Sequence, residues 1–120
     1  MLSTRVHGVL DYVVGLLLIS SPWLLDFYRV NPATWPPIVA GGGAFLYSLF
    51  TRYELGVIKR LPMRVHLLLD GTSGVVLAAS PWLLGFADEV WLPHVAFGIF
   101  EIAAATLTRR TPSFDRHRPI

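Results

Sequence analysis

The 120-residue chain has no cysteine, which excludes disulfides, thiolate metal ligands and thiol catalysis while leaving the compartment open. Charge is scarce too. Charged residues make up 15% of the sequence and apolar residues 53%, where ordinary soluble domains carry roughly a quarter charged. The few cations form no stripe along a helix, so the net charge of +2 is not the footprint of a nucleic-acid binder. No glycine-rich phosphate loop, H-E-x-x-H pair or G-x-S-x-G elbow occurs. Gly41-Gly42-Gly43 lies within an apolar run and follows no strand, and no serine has an evident histidine neighbour. These absences lean away from an enzyme, and no residue is assigned a catalytic role.

What is present is a set of long apolar runs. Residues 12–25, 30–51 and 71–87 carry no charge, and 90–108 carry only Glu101. Each approaches the ~20 residues with which a helix crosses ~30 Å of hydrocarbon, and the polar face of a soluble helix is largely missing. The pattern predicts four membrane helices at about 6–25, 36–51, 65–84 and 92–108. The opening Met1-Leu-Ser-Thr-Arg5 and the run behind it are read as the first span, not a signal peptide. No small-x-small cleavage site follows, and the same run recurs in mid-chain.

That recurrence is an internal duplication. Residues 5–27, RVHGVLDYVVGLLLISSPWLLDF, and 64–86, RVHLLLDGTSGVVLAASPWLLGF, agree without gaps at thirteen of twenty-three positions. A fainter match pairs Trp35-x-Pro37-x-Val39-Ala40-x-Gly42 with Trp91-x-Pro93-x-Val95-Ala96-x-Gly98, so the outer loop between the helices is shorter in the second copy. The expected organisation is a first repeat over 1–56, a second over 57–110 and a cytoplasmic tail over 111–120, forming one structural domain. The fold class is all-α: a membrane four-helix bundle of two tandem helix hairpins. Because each unit crosses twice, both copies point the same way, and a pseudo-twofold axis along the membrane normal relates them.

Each copy carries a Ser-Pro-Trp triplet, Ser21-Pro22-Trp23 and Ser80-Pro81-Trp82, near the far end of its first helix. Proline frees the carbonyl four residues back, which in lipid needs a partner; Ser20, Ser21 and Ser80 are placed to supply one. Trp23 and Trp82 then fall at headgroup depth. On these paired triplets, and on Tyr53-Glu54-x-Gly56 ahead of Pro62-Met63-Arg64-Val65-His66, the chain resembles the SPW-repeat family of small prokaryotic membrane proteins over about residues 5–108. The resemblance implies an integral membrane protein and no reaction.

The most informative polar residues are His7, Asp11, His66 and Asp70. A spacing of four puts each His/Asp pair on one helix face. The aspartate can fix the imidazole tautomer and leave the other ring nitrogen free as ligand or base. Brought together across the axis, the four form either a structural pin between the repeats or a site for a proton, a metal ion or a small ligand. No cofactor is expected; if a metal binds, two imidazoles and two carboxylates suit zinc, iron or manganese better than copper(I). Asp11 lies only about 9 Å along the helix from Arg5, so its insertion cost is moderate. Glu101, the deepest acid, is unmatched in the second helix and either joins this cluster or stays protonated. His94 reads as an interfacial residue near the outer surface, and His117 as part of a polar tail.

Nine of ten basic residues, Arg5, Arg52, Lys59, Arg60, Arg64, Arg109, Arg110, Arg116 and Arg118, fall on one side of the spans and only Arg29 on the other. The positive-inside rule then places both termini in the cytoplasm of a cell with this protein in its inner membrane. Expected partners are the lipid bilayer, further copies of the chain or other membrane proteins.

Overall fold

The computed structural model describes residues 1–115, and all regular structure in it is helical. Helix α1 spans Thr4–Leu24, α2 Asn31–Leu49, α3 Met63–Leu83 and α4 Leu92–Leu107, with a 3-10 turn at Ser113–Asp115. Arg116, His117 and Arg118 lie outside the described residues. Helix α2 starts five residues earlier than the sequence suggests. Pro32 sits in its first turn, where a missing N–H costs nothing.

Helix α1 packs along α2 and α3 along α4, with a smaller α2–α3 seam and a slight α1–α4 seam. This order puts α1 and α3 on one diagonal, so they meet through side chains. Glycines set the two close seams. A Cβ on Gly41 would stand 2.5 Å from the Gly15 carbonyl oxygen, and one on Gly98 would stand 2.5 Å from that of Gly74. The sequence match had paired Gly42 with Gly98; packing instead uses Gly41, and Gly42 has nothing within 4 Å. In this register the counterpart of Glu101 is Ala44.

The Ser-Pro-Trp segments repair their own damage. Pro22 frees the Leu18 carbonyl, to which Ser21 Oγ donates at 2.8 Å, and Pro81 frees that of Leu77, to which Ser80 Oγ donates at 2.7 Å. Each helix ends two residues past its proline. Asp26 (φ 58°) and Gly85 (φ 73°) then turn left-handed. The amides of Phe27 and Phe86 reach back to the carbonyls of Pro22 and Pro81, both at 2.8 Å, the 6→1 bond of a Schellman end. These turns carry Phe27 and Phe86 inward onto Ala33, and Trp23 and Trp82 stay exposed.

At the opposite end, short extended segments clip onto helix ends. Leu2 bridges to Thr108 and Leu61 bridges to Thr51. Burial is unusual for its chemistry. Thr4, His7, Asp11, Ser21, Ser48, Thr51, His66, Asp70, Ser80, His94 and Thr108 are buried, whereas Val9, Val13, Leu16, Val39, Leu46, Leu68, Val75, Val76 and Ile99 are exposed. By length and composition one helix, Thr4–Leu24, is apolar enough to cross a membrane, where the sequence reading expected four. Arg64, His66 and Asp70 lower the hydropathy of α3. Proline and glycine dilute α2, and α4 has only 16 residues.

Candidate functional site

The diagonal between α1 and α3 is filled by His7, Asp11, His66 and Asp70, all buried. His7 Nε2 lies 2.7 Å from Asp70 Oδ2 and 3.1 Å from Asp11 Oδ1; His66 Nε2 lies 2.9 Å from Asp11 Oδ2 and 3.1 Å from Asp70 Oδ2. Each imidazole is therefore nearer the aspartate of the other helix than the one four residues along its own. The rings meet edge to face with centroids 5.4 Å apart.

The sequence reading allowed the nitrogen turned away from the aspartate to be free; the structure gives that nitrogen, Nδ1, a threonine partner in both histidines. His7 Nδ1 lies 2.7 Å from Thr108 Oγ1, and His66 Nδ1 lies 2.6 Å from Thr51 Oγ1. Those hydroxyls already donate their single protons to backbone carbonyls, Thr108 to Ala104 at 2.5 Å and Thr51 to Tyr47 at 2.8 Å. A threonine oxygen so committed can only accept, so both histidines carry a proton on Nδ1. Both Nε2 atoms then face carboxylate oxygens. An unprotonated Nε2 would set a lone pair against them, so each Nε2 of the ring holds a proton. Two imidazolium ions and two carboxylates sum to zero charge, which is what a buried cluster requires.

The ring is not equally bonded all round. His7 Nε2 makes a directed hydrogen bond to Asp70. His66 Nε2 is close to both carboxylates, yet neither lies along its N–H, and it has no aligned hydrogen-bond partner.

Two tyrosines hold the carboxylates, Tyr47 at the outer oxygen of Asp70 and Tyr53 at the Asp11 oxygen that also faces His66. Tyr47 Oη donates to Asp70 Oδ1, and Tyr53 Oη donates to Asp11 Oδ2 at 2.8 Å. Burial and the Asp11 carboxylate push the Tyr53 hydroxyl far above its ordinary range, so it remains a donor. The remainder of that linker braces the same end. Glu54 Oε1 accepts from Thr4 Oγ1 at 2.6 Å, and its Oε2 accepts from Ser113 N and Oγ at 3.1 and 2.6 Å. Partial burial opposes ionisation of Glu54, but the bonds from Ser113 and Thr4 outweigh it and hold the carboxyl at about 2. Gly56 is needed because any Cβ there would collide with the Thr51 carbonyl.

Glu101 does not join the ring by a hydrogen bond. It borders a cavity of about 20 Å³ together with His7, Asp11, Ala44, Asp70 and Ala104, and its Oε2 has no hydrogen-bond partner. His94 is buried, contrary to the interfacial position expected from the sequence. Pro37 frees the Ala33 carbonyl, and His94 Nε2–H donates to it at 2.8 Å from between the rings of Phe27 and Phe86. It thus serves α2 as Ser21 serves α1.

Sequence reasoning named the four ring residues and missed Thr51, Thr108, Tyr47 and Tyr53. The available signal was a threonine just past the end of each repeat's second helix, two residues ahead of a tyrosine in the first copy. A family model, the SPW repeat domain, matches residues 5–108. Searches of curated proteins and of solved structures give no match.

Proposed function

The chain belongs to the SPW repeat family, and from that premise we propose that it is a structural or interaction protein of the cell membrane, its two repeats pinned together by the His/Asp ring. The repeats are the units 1–56 and 57–110, related by a pseudo-twofold axis along the membrane normal. All four helices lie in the bilayer, and both termini are cytoplasmic.

The observation that carries this reading is the crossed pairing of His7 with Asp70 and His66 with Asp11. It links the first repeat to the second rather than tying each helix to itself. The twofold relation is supported by contacts that occur in pairs: Gly15 on Gly41 and Gly74 on Gly98, Leu2 by Thr108 and Leu61 by Thr51, and a threonine from the other repeat on each histidine.

Membrane embedding is supported by the inverted burial. An outer surface of valine, leucine and isoleucine around a polar interior is unfavourable in water and suited to acyl chains. The exposed rings of Trp23, Trp35, Trp82 and Trp91 stand at the helix ends opposite the basic loop, as an interfacial belt would. Gly42 and Gly43 have open space where a Cβ would stand, so the outer face of α2 admits close approach of another helix. Through such faces the protein assembles with itself or with other membrane proteins.

The lack of cysteine provides a clean test. Single cysteines at Arg29 or Asp88 should react with a membrane-impermeant thiol reagent on intact cells, and cysteines at Arg60 or Arg109 only after permeabilisation. Recovery of the chain in the soluble fraction, or labelling of Arg60→Cys from outside, would contradict the topology.

A further inference from the structure

We infer that the His7/Asp11/His66/Asp70 ring is a binding site for one divalent first-row cation of zinc's class. The inference rests on reading the ring as a charge-neutral pin and adds a ligand to it.

Three independent features point there. His66 Nε2, fully buried, has two carboxylate oxygens at 2.9 and 3.1 Å and no hydrogen bond aligned to either. A nitrogen in that position is unsatisfied as a donor and lies beside both carboxylates with which it would share a cation. The tautomer is also the one a metal needs. With Nδ1–H committed to Thr108 and Thr51, each neutral imidazole keeps its Nε2 lone pair on the side of the carboxylates. Finally, each ligand has an outer support of the kind that orients metal-binding side chains: a threonine behind each histidine and a tyrosine on each aspartate.

Charge balances on exchange. The metal-free ring holds two Nε2 protons, two imidazolium ions and two carboxylates. Binding one M²⁺ releases those two protons and leaves two neutral imidazoles, two carboxylates and the cation, so the buried total stays at zero. Two nitrogens and two oxygens form a borderline set that suits zinc, with iron(II) or manganese(II) weaker along the affinity series. The four ligand atoms lie within 4.8 Å of one another. Tetrahedral zinc at about 2.0–2.2 Å spaces its ligands about 3.3–3.6 Å apart, so contacts of 2.7 to 3.1 Å must open by about half an ångström and ligand pairs as far apart as 4.8 Å must close. The adjoining cavity of about 20 Å³ has room for roughly one water, bordered by the unpartnered Glu101 oxygen.

The test uses the full chain purified in detergent, stripped with a chelator, titrated with zinc chloride and assayed for bound metal after dialysis. One zinc per chain is expected, with cobalt(II) in its place giving the visible absorption of a four-coordinate site. His66→Ala should abolish binding. Since that variant also cuts the pin, Thr51→Val and Thr108→Val serve as milder changes that keep all four ligands and should weaken zinc binding about 10–100-fold. Substoichiometric zinc in the folded native chain overturns the metal site and leaves the pin standing. Zinc retained by a His7→Ala/His66→Ala chain also overturns it, as binding elsewhere. Uptake of one zinc by a chain whose His7–Asp70 coupling is absent without metal would retain the site and remove the pin.

Discussion

His7 Nε2 is 2.7 Å from Asp70 Oδ2, sixty-three residues away, and 3.1 Å from Asp11 Oδ1, one turn along its own helix. A local i,i+4 pair would stiffen α1 alone. The longer-range bond joins α1 to a helix with which it shares almost no backbone contact, so under the proposed pin its loss should weaken the bundle.

The threonine supports can be probed without touching a charge. Thr51→Val and Thr108→Val keep the side-chain shape and leave a buried imidazole N–H with no acceptor, at a cost of about 1–3 kcal/mol each. Denaturant unfolding in detergent should show similar losses for the two and recovery of Thr51→Ser to near the native value.

Glycine substitutions separate packing from propensity. Gly41→Ala and Gly98→Ala would force a methyl into the Gly15 and Gly74 carbonyls and should destabilise by about 1–3 kcal/mol, as overpacking does. Gly42→Ala and Gly43→Ala meet open space and should be neutral or stabilising by up to about 1 kcal/mol through helix propensity. Thermal melts of the four variants check the contrast.

Removing the proline repairs should be felt in three places. Ser21→Ala, Ser80→Ala and His94→Ala each strip the partner from a carbonyl freed by Pro22, Pro81 or Pro37, and each should lower stability by about 1 kcal/mol or more. His94→Ala is the largest of the three, because it also vacates the space between Phe27 and Phe86.

Much of this was legible beforehand. Runs free of charge gave the four helices, the duplicated His-x-x-x-Asp gave the ring, and the serines before Pro22 and Pro81 gave their repairs. The remainder was hidden for physical reasons. Hydrophobic periodicity identifies apolar blocks but not which aspartate a histidine prefers, since own-helix and cross-helix partners differ by a few tenths of an ångström. Thr51 and Thr108 are silent as sequence because a threonine past a helix end is ordinary until a ring nitrogen arrives beside it. His94 was misplaced because its role depends on Pro37, fifty-seven residues earlier and on another helix.

Acid should loosen the linker brace first. Glu54 is held at about 2, below its ordinary 4.5, so its contribution is complete above about pH 4.5 and disappears as pH falls through about 2. The Ser113 amide, which donates to Glu54 at 3.1 Å, should lose hydrogen-exchange protection across that window after correction for intrinsic rates. In Glu54→Gln the protection should show no such transition.

The central claim, that the ring ties one half of the chain to the other, is tested most directly by double-mutant cycles on unfolding of the metal-free protein, comparing His7→Ala with Asp70→Asn and with Asp11→Asn. The account expects a His7–Asp70 coupling of about 2 kcal/mol or more, within the range for directly bonded buried pairs, and a smaller His7–Asp11 coupling. A His7–Asp70 coupling within about 0.5 kcal/mol of zero, the scatter for independent sites, would contradict it.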